Sequence, residues 1–263
     1  MEPPSPPVPS GASAEEAWAS TLGEALQDAV LDAARGGPVS LLFSGGLDSS
    51  LLAHLLAKAG IPLELLVVGL TGSQDLASAS EGASILGLPL STAVLSPSEV
   101  RETAGDLGRT APALTPTSLA VQTALSLALR HSRWERVLCG QGADELFLGY
   151  AHYRLLTGAA LAKRAQEDLL QLLHVDFPFT GSMARRLGKL LSAPYLSRGV
   201  IEALASVPWE VRRGPGEPKA LLRKVAVALG LPPSLAGRPK KAFQYGSGIQ
   251  RLLRTDRPLG GPW

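Results

Sequence analysis

The chain has 263 residues, a formal net charge of +2, 45% hydrophobic and 18% charged residues, and one cysteine. That length suits one large domain, or one domain with a small helical extension, and so slight a charge leaves no polyelectrolyte footprint for nucleic acid. No run of about 18 apolar residues exists and the N-terminus lacks a basic stretch followed by an apolar one, so no membrane attachment and a cytoplasmic protein are expected.

Residues 1–12 hold five prolines and few large apolar side chains, which predicts a disordered tail. Ser13-Ala14-Glu15-Glu16 is a capping-box pattern ahead of Trp18, Leu22, Leu26, Ala29 and Ala33, a helix that should end at Gly36-Gly37. Val39 to Phe43 reads as a buried strand and Leu51 to Ala59 as a helix. Next come a strand over Leu63 to Leu70, a helix opening near Asp75, a short strand around Leu90 to Val94 and a helix capped by Ser96-Pro97-Ser98-Glu99. Thr117 to Trp134 reads as helix and Arg136 to Cys139 as strand. Beyond Asp144 the pattern is helical almost throughout: Leu146 to Leu156, Ala159 to His174, Ser182 to Leu191, Arg198 to Ala205 and Glu217 to Leu229. Alternating strands and helices predict an α/β fold with a parallel sheet. The expected division is an α/β part over 13–155 and a helical part over 156–263.

Chemistry concentrates where the first strand meets its helix, at Ser44-Gly45-Gly46-Leu47-Asp48-Ser49-Ser50. A glycine pair lets backbone N–H groups approach a polyanion, the serines add hydroxyl donors, and a helix N-terminus adds partial positive charge. Such a loop cradles phosphate or pyrophosphate. Asp48 beside bound phosphates calls for Mg²⁺ between them. The commoner phosphate motifs, G-x-x-x-x-G-K-S/T and G-x-G-x-x-G after a strand, are absent. Gly140-Gln141-Gly142-Ala143-Asp144-Glu145 repeats the same logic at a second strand end, glycines followed by carboxylates at a helix start. Across the carboxyl edge of one parallel sheet the two loops can face each other, and Asp48 and Asp144, with Glu145 beside them, can share metal ions with bound phosphates. Cys139, without a second cysteine, excludes an internal disulfide and any Cys-x-x-Cys site, and the four histidines show no metal-ligand spacing.

The string SGGLDSS resembles the pyrophosphate loop of the ATP pyrophosphatases. GQGADELFLGY is similar to the G-E-G-A/S-D-E-L-F-G-G-Y segment of the asparagine synthetase family, and VGLTGSQDL, Val68 to Leu76, to its V-G-L-x-G-S-x-D-L stretch. The likeness is strong over about 38–155 and weak beyond. It implies an adenine nucleotide alpha hydrolase-like, Rossmann-like domain that uses ATP and Mg²⁺ to activate a carboxylate, aspartate in that family, as an acyl-adenylate for transfer to an amine. It implies nucleotide contacts at Leu42, Ser44 to Ser50, Val68, Gly69, Gly140 and Gly142. The segment Arg238-Pro239-Lys240-Lys241-Ala242-Phe243-Gln244-Tyr245-Gly246-Ser247-Gly248 looks like the family's C-terminal Lys/Gly-rich stretch, whose lysine contacts pyrophosphate; Lys241 is the expected counterpart, with Lys240 the alternative.

Two features depart from the family pattern. Met1 is followed by Glu2, a proline-rich stretch and one helix rather than by a cysteine-led glutaminase domain. Free ammonia, a separate partner glutaminase or another amine is therefore the expected nitrogen source. Gln141 stands where the family has a glutamate thought to deprotonate the amine, and an amide cannot be a general base. An amide or lactam ligase for another acid and a non-catalytic ATP-binding regulatory subunit both stay open.

Overall fold

The computed structural model describes residues 14–111, 114–216, 218–238 and 246–255. The proline-rich tail, Lys240 and Lys241 lie outside these residues. Five strands form one sheet: β1 (Val39–Leu42), β2 (Leu63–Leu70), β3 (Leu90–Leu95), β4 (Arg136–Leu138) and β5 (Leu190–Ser192), in the order β3-β2-β1-β4-β5. Every pairing is parallel. Helix α1 (Ala14–Ala33) precedes β1; α2 (Leu47–Lys58), α3 (Gln74–Leu86), α4 (Pro97–Thr110) and α5 (Pro116–His131) carry the crossovers up to β4. Then follow α6 (Ala143–Leu146), α7 (Gly158–Gln171), α8 (Phe177–Arg186), α9 (Arg198–Ala205), α10 (Trp209–Arg213), α11 (Ala220–Ala228), α12 (Pro233–Ala236) and a last helix over Ile249–Thr255.

Strand periodicity builds two cores. Successive side chains of a strand point to opposite faces, so Leu41, Leu65, Val67 and Leu138 join the helices α1, α2 and α11 on one side. Leu42, Leu66, Val68 and Val137 join α4 and α5 on the other. All four residues of β1 are buried, as expected for a strand with a neighbour on each edge and helices on both faces. This is an α/β fold built on one parallel sheet, with a mainly helical C-terminal half.

Two local expectations need correction. The segment Ser182 to Leu191 is not one helix: α8 ends at Arg186, Gly188 turns the chain at φ 68°, and Leu190–Ser192 adds the fifth strand beside β4. Three residues are too few for a strand pattern, and the Leu190 amide finds its partner in the distant Glu135 carbonyl at 2.8 Å. Leu146 to Leu156 is not helical throughout either. Helix α6 stops at Leu146, Leu148 adopts φ 57°, and a 3-10 turn over Ala151–Leu155 follows. Among the described residues no helix is long and apolar enough to cross a membrane.

Candidate functional site

The chain winds from β1 out to β3 on one side and returns to place β4 and β5 on the other. The carboxyl ends of β1 and β4 are therefore neighbours with their loops diverging, the position at which open α/β sheets form a crevice. A cleft of about 480 Å³ opens there. Leu42, Ser44, Asp48, Ser49, Gly140, Gln141, Gly142, Asp144 and Glu145 line it. Gly45, Gly46, Leu47, Ser50, Val68 and Gly69 are not among the residues that line it. Val68 is 2% exposed and packs with Leu42 and Leu66, while Ser50 is buried in the first turns of α2.

The first loop is shaped by its glycines and serines. A Cβ on Gly45, which sits at φ 71°, would lie 2.1 Å from the Ser78 carbonyl oxygen, so only glycine fits. Gly46 is the N-cap of α2 and has no side chain to satisfy the first amides, which leaves them to an outside acceptor. The Ser44 and Ser49 hydroxyls stand 3.3 Å apart, and Ser49 Oγ accepts the Ser44 amide at 3.3 Å. The two ends of the loop are thus tied together through the Ser49 hydroxyl.

The second loop brings the carboxylates together. At Gly140 the two loops are in contact range, since a Cβ there would stand 3.4 Å from Asp48 Cβ, an ordinary van der Waals distance. Asp48 Oδ2 and Asp144 Oδ1 each lie 2.6 Å from the Nζ of one lysine, Lys219, whose side chain is 3% exposed. Burial pulls the Lys219 ammonium toward neutrality, but Asp144 and Asp48 outweigh it and raise its pKa above the ordinary lysine value. Tyr195 OH donates to the Asp48 carbonyl at 3.0 Å and fixes that backbone.

Glu145 is held apart from this pair by a different partner. Tyr150 OH donates to its Oε1 at 2.6 Å, and burial together with the Asp144 charge pushes its carboxyl up to about 7. Gln141 Oε1 accepts the Cys139 thiol at 3.4 Å, and burial pushes that thiol up to about 12, so it stays protonated. On the far wall Asp168 gathers His152 Nε2, Tyr153 OH and Arg164, at 2.9, 2.8 and 2.8 Å.

The sequence alone missed Lys219 and the anchoring role of Arg238. Lys219 precedes α11 in Pro218-Lys219-Ala220, with no local pattern to mark it, and its Asp48 partner is 171 residues away. Arg238 Nη1 donates to the Gly45 carbonyl at 2.8 Å and the Ser78 carbonyl at 3.0 Å, and its Nη2 pairs with Glu81 at 2.9 Å. On the other flank of the lysine segment, the Leu70 amide donates to the Ser247 carbonyl at 3.0 Å. Both described flanks of that segment therefore dock at the carboxyl edge of the sheet.

Among the described residues no group of three or more His, Cys, Asp or Glu side chains is arranged to hold a metal. Two carboxylates beside a phosphate-type loop are nonetheless a hard-oxygen donor set that fits Mg²⁺. Asp48 Oδ1 is buried without a hydrogen-bond partner among the described residues, an acceptor still to be satisfied. Lys219 now occupies the space between the two acids.

Comparison with known proteins adds to this geometry. The family model described as asparagine synthase matches residues 21–190 and 157–257. A Methanocaldococcus jannaschii protein named as a glutamine-hydrolyzing asparagine synthetase is 31% identical over 272 residues, covering 88% of this chain and 50% of that protein. The Cricetulus griseus asparagine synthetase is 27% identical over 221 residues, covering 79% of this chain and 39% of that protein. The chain thus spans half or less of the length of these relatives. Among solved structures, the NH3-dependent NAD synthetase from Campylobacter jejuni aligns with a TM-score of 0.36 and 17% identity, over 88% of this chain and 100% of that one. The family model extends across both the loop that carries Asp48 and the distant segment that supplies Lys219, and the chain belongs to the asparagine synthase family.

Proposed function

We propose that this chain is an ATP-dependent amide-forming ligase that joins a carboxylate, aspartate first among those to test, to ammonia or another amine. One observation carries the reading: Asp48 and Asp144 converge on one buried lysine, at 2.6 Å each, below two glycine loops at the switch point of a parallel sheet. ATP lies with its phosphates over Ser44 to Ser50 and its adenine against the Leu42 and Val68 strand ends. A carboxylate oxygen attacks the α-phosphorus, so that an acyl-adenylate forms and pyrophosphate leaves. The amine nitrogen then attacks the acyl carbon, and AMP departs. Asp48 and Asp144 would hold Mg²⁺, which would supply charge neutralisation for the phosphates.

The chain's own residues have separable tasks in this scheme. The Ser44 and Ser49 hydroxyls and the α2 amides orient the phosphates. Lys219, with Lys241 or Lys240 from the segment whose flanks dock at Gly45 and Leu70, offsets the charge that builds on the leaving pyrophosphate. Gln141 cannot take a proton from the amine, but its neighbour on the cleft Glu145, pushed up to about 7, is poised to do so in a general base's range. In this reading Glu145 acts as a base rather than as a metal ligand.

One feature favours a second acid. Arg164 is the arginine on the cleft wall among the described residues, and Asp168 already engages it at 2.8 Å. Thr115, Thr117, Val121 and Leu125 also line the wall. That surface suits an acid with fewer charges than aspartate.

The deciding assay gives purified protein ATP, Mg²⁺ and ammonium with a panel of carboxylates that includes aspartate. Equal amounts of AMP and pyrophosphate should appear with the true acid. Release of neither with any acid sinks the ligase reading, and tight ATP binding without turnover would point to a regulatory subunit.

A further inference from the structure

Lys219 is placed with unusual constraint. Its side chain is 3% exposed and its Nζ stands 2.6 Å from both Asp48 Oδ2 and Asp144 Oδ1, so one positive charge spans two negative ones. Its backbone sits at φ 64°, a region disfavoured for any residue with a Cβ. Gly149 is bare beside it: a Cβ there would meet Asp144 Oδ1 at 2.0 Å and Lys219 Cε at 2.3 Å. Three independent features, an αL backbone, a glycine and a buried ion triad, thus converge on one ammonium position. Without that ammonium, two carboxylates would face each other across the space it fills, and such a pair takes up a proton or a divalent cation. Asp48 Oδ1, buried and without a hydrogen-bond partner among the described residues, would serve such a cation at once.

We propose that Lys219 is a built-in counter-cation that holds Asp48 and Asp144 together in the nucleotide-free protein and bars bare divalent cations from them. Lys219 yields the two carboxylates only when phosphate oxygens offer its ammonium a replacement. Metal and nucleotide therefore bind as a pair, and Lys219 moves from the acids to the phosphates in the same step. The inference rests on the reading of Asp48 and Asp144 as cation ligands, but not on turnover.

The test is titration of nucleotide-free protein with Mn²⁺ alone, followed by the electron paramagnetic resonance signal of the free ion. Lys219→Met should bind one Mn²⁺ at least roughly 10-fold more tightly than wild type, because its carboxylates lose their internal counter-charge. Adding Asp48→Asn should abolish that gain, which a merely structural ion pair would not explain. Equal Mn²⁺ affinity in folded wild type and folded Lys219→Met overturns the proposal. Wild type supplies a second measurement that needs no variant. Its thermal midpoint should stay unchanged with Mg²⁺ alone and rise with Mg²⁺ plus α,β-methylene-ATP; an equal rise with Mg²⁺ alone also overturns it. Failure to release pyrophosphate would remove the ligase reading and leave these bare-metal outcomes standing, so the two failures are distinguishable.

Discussion

In the loop after β1, only glycine fits at Gly45, which sits at φ 71° with the Ser78 carbonyl oxygen 2.1 Å from where a Cβ would be; beyond β4, in the segment that follows α6, Gly149 is required because Asp144 Oδ1 and Lys219 Cε fill that space. The first glycine answers to backbone. It lets the loop pass under α3, where Arg238 ties the Gly45 and Ser78 carbonyls together. The second answers to side chains, and to those of the site itself. Two glycine-rich loops of similar composition are thus constrained for different reasons: one is a rigid shape, whereas the other holds a set of charges that can change partners.

Substitution should separate the two. Gly45→Ala forces a Cβ into immovable backbone at an αL position and should cost about 3 kcal/mol, the larger loss, read by urea unfolding. Gly149→Ala displaces side-chain ends and should cost about 2 kcal/mol. Shortening Lys219 to alanine in the same chain should make that second loss smaller by about 1 kcal/mol, since one of the colliding groups is gone. Simple additivity in that cycle would show that Gly149 does not answer to Lys219.

The second loop should also be the one that titrates. Glu145 has its folded carboxyl raised from 4.5 to about 7 by burial and by Asp144, so the folded chain holds that proton more tightly than the unfolded chain. Its contribution to stability is fully present below about 4.5 and is lost as pH rises through 7. Glu145→Gln should remove this fall, on the order of 1–3 kcal/mol between pH 5 and pH 8 in urea unfolding. An unchanged pH profile would place the proton elsewhere. The smallest effect belongs to Gly46→Ala: with an ordinary φ of −79° and the Ser44 hydroxyl 3.5 Å from the new Cβ, stability should change by less than about 1 kcal/mol.

Much of this was legible in the chain because it is local. Four of the strands were readable as short segments bounded by helices and turns. Ser96 was readable as a cap, and its Oγ accepts the Glu99 amide at 3.1 Å; helix α9 spans the predicted Arg198 to Ala205. The break after Leu146 was not legible, because the groups packed against Gly149 there include Lys219, which comes from far along the sequence. For the same reason β5 looked like the end of a helix: a three-residue strand exists by virtue of its neighbour β4.

The candidate site divides along the same line. Residue order alone determined that a Gly-Gly-x-Asp loop follows a buried strand, that a second glycine and carboxylate loop follows another, and that both belong to an asparagine-synthetase-like pattern. Those are short-range matters of backbone freedom, hydrophobic periodicity and helix starts. Tertiary structure decided which carboxylate meets which cation. Asp48 and Asp144 come together as the pattern suggested, but they meet on Lys219, and Glu145 binds Tyr150. Charge pairing acts through space, and the fold brings within 2.6 Å groups that lie 171 residues apart in the chain.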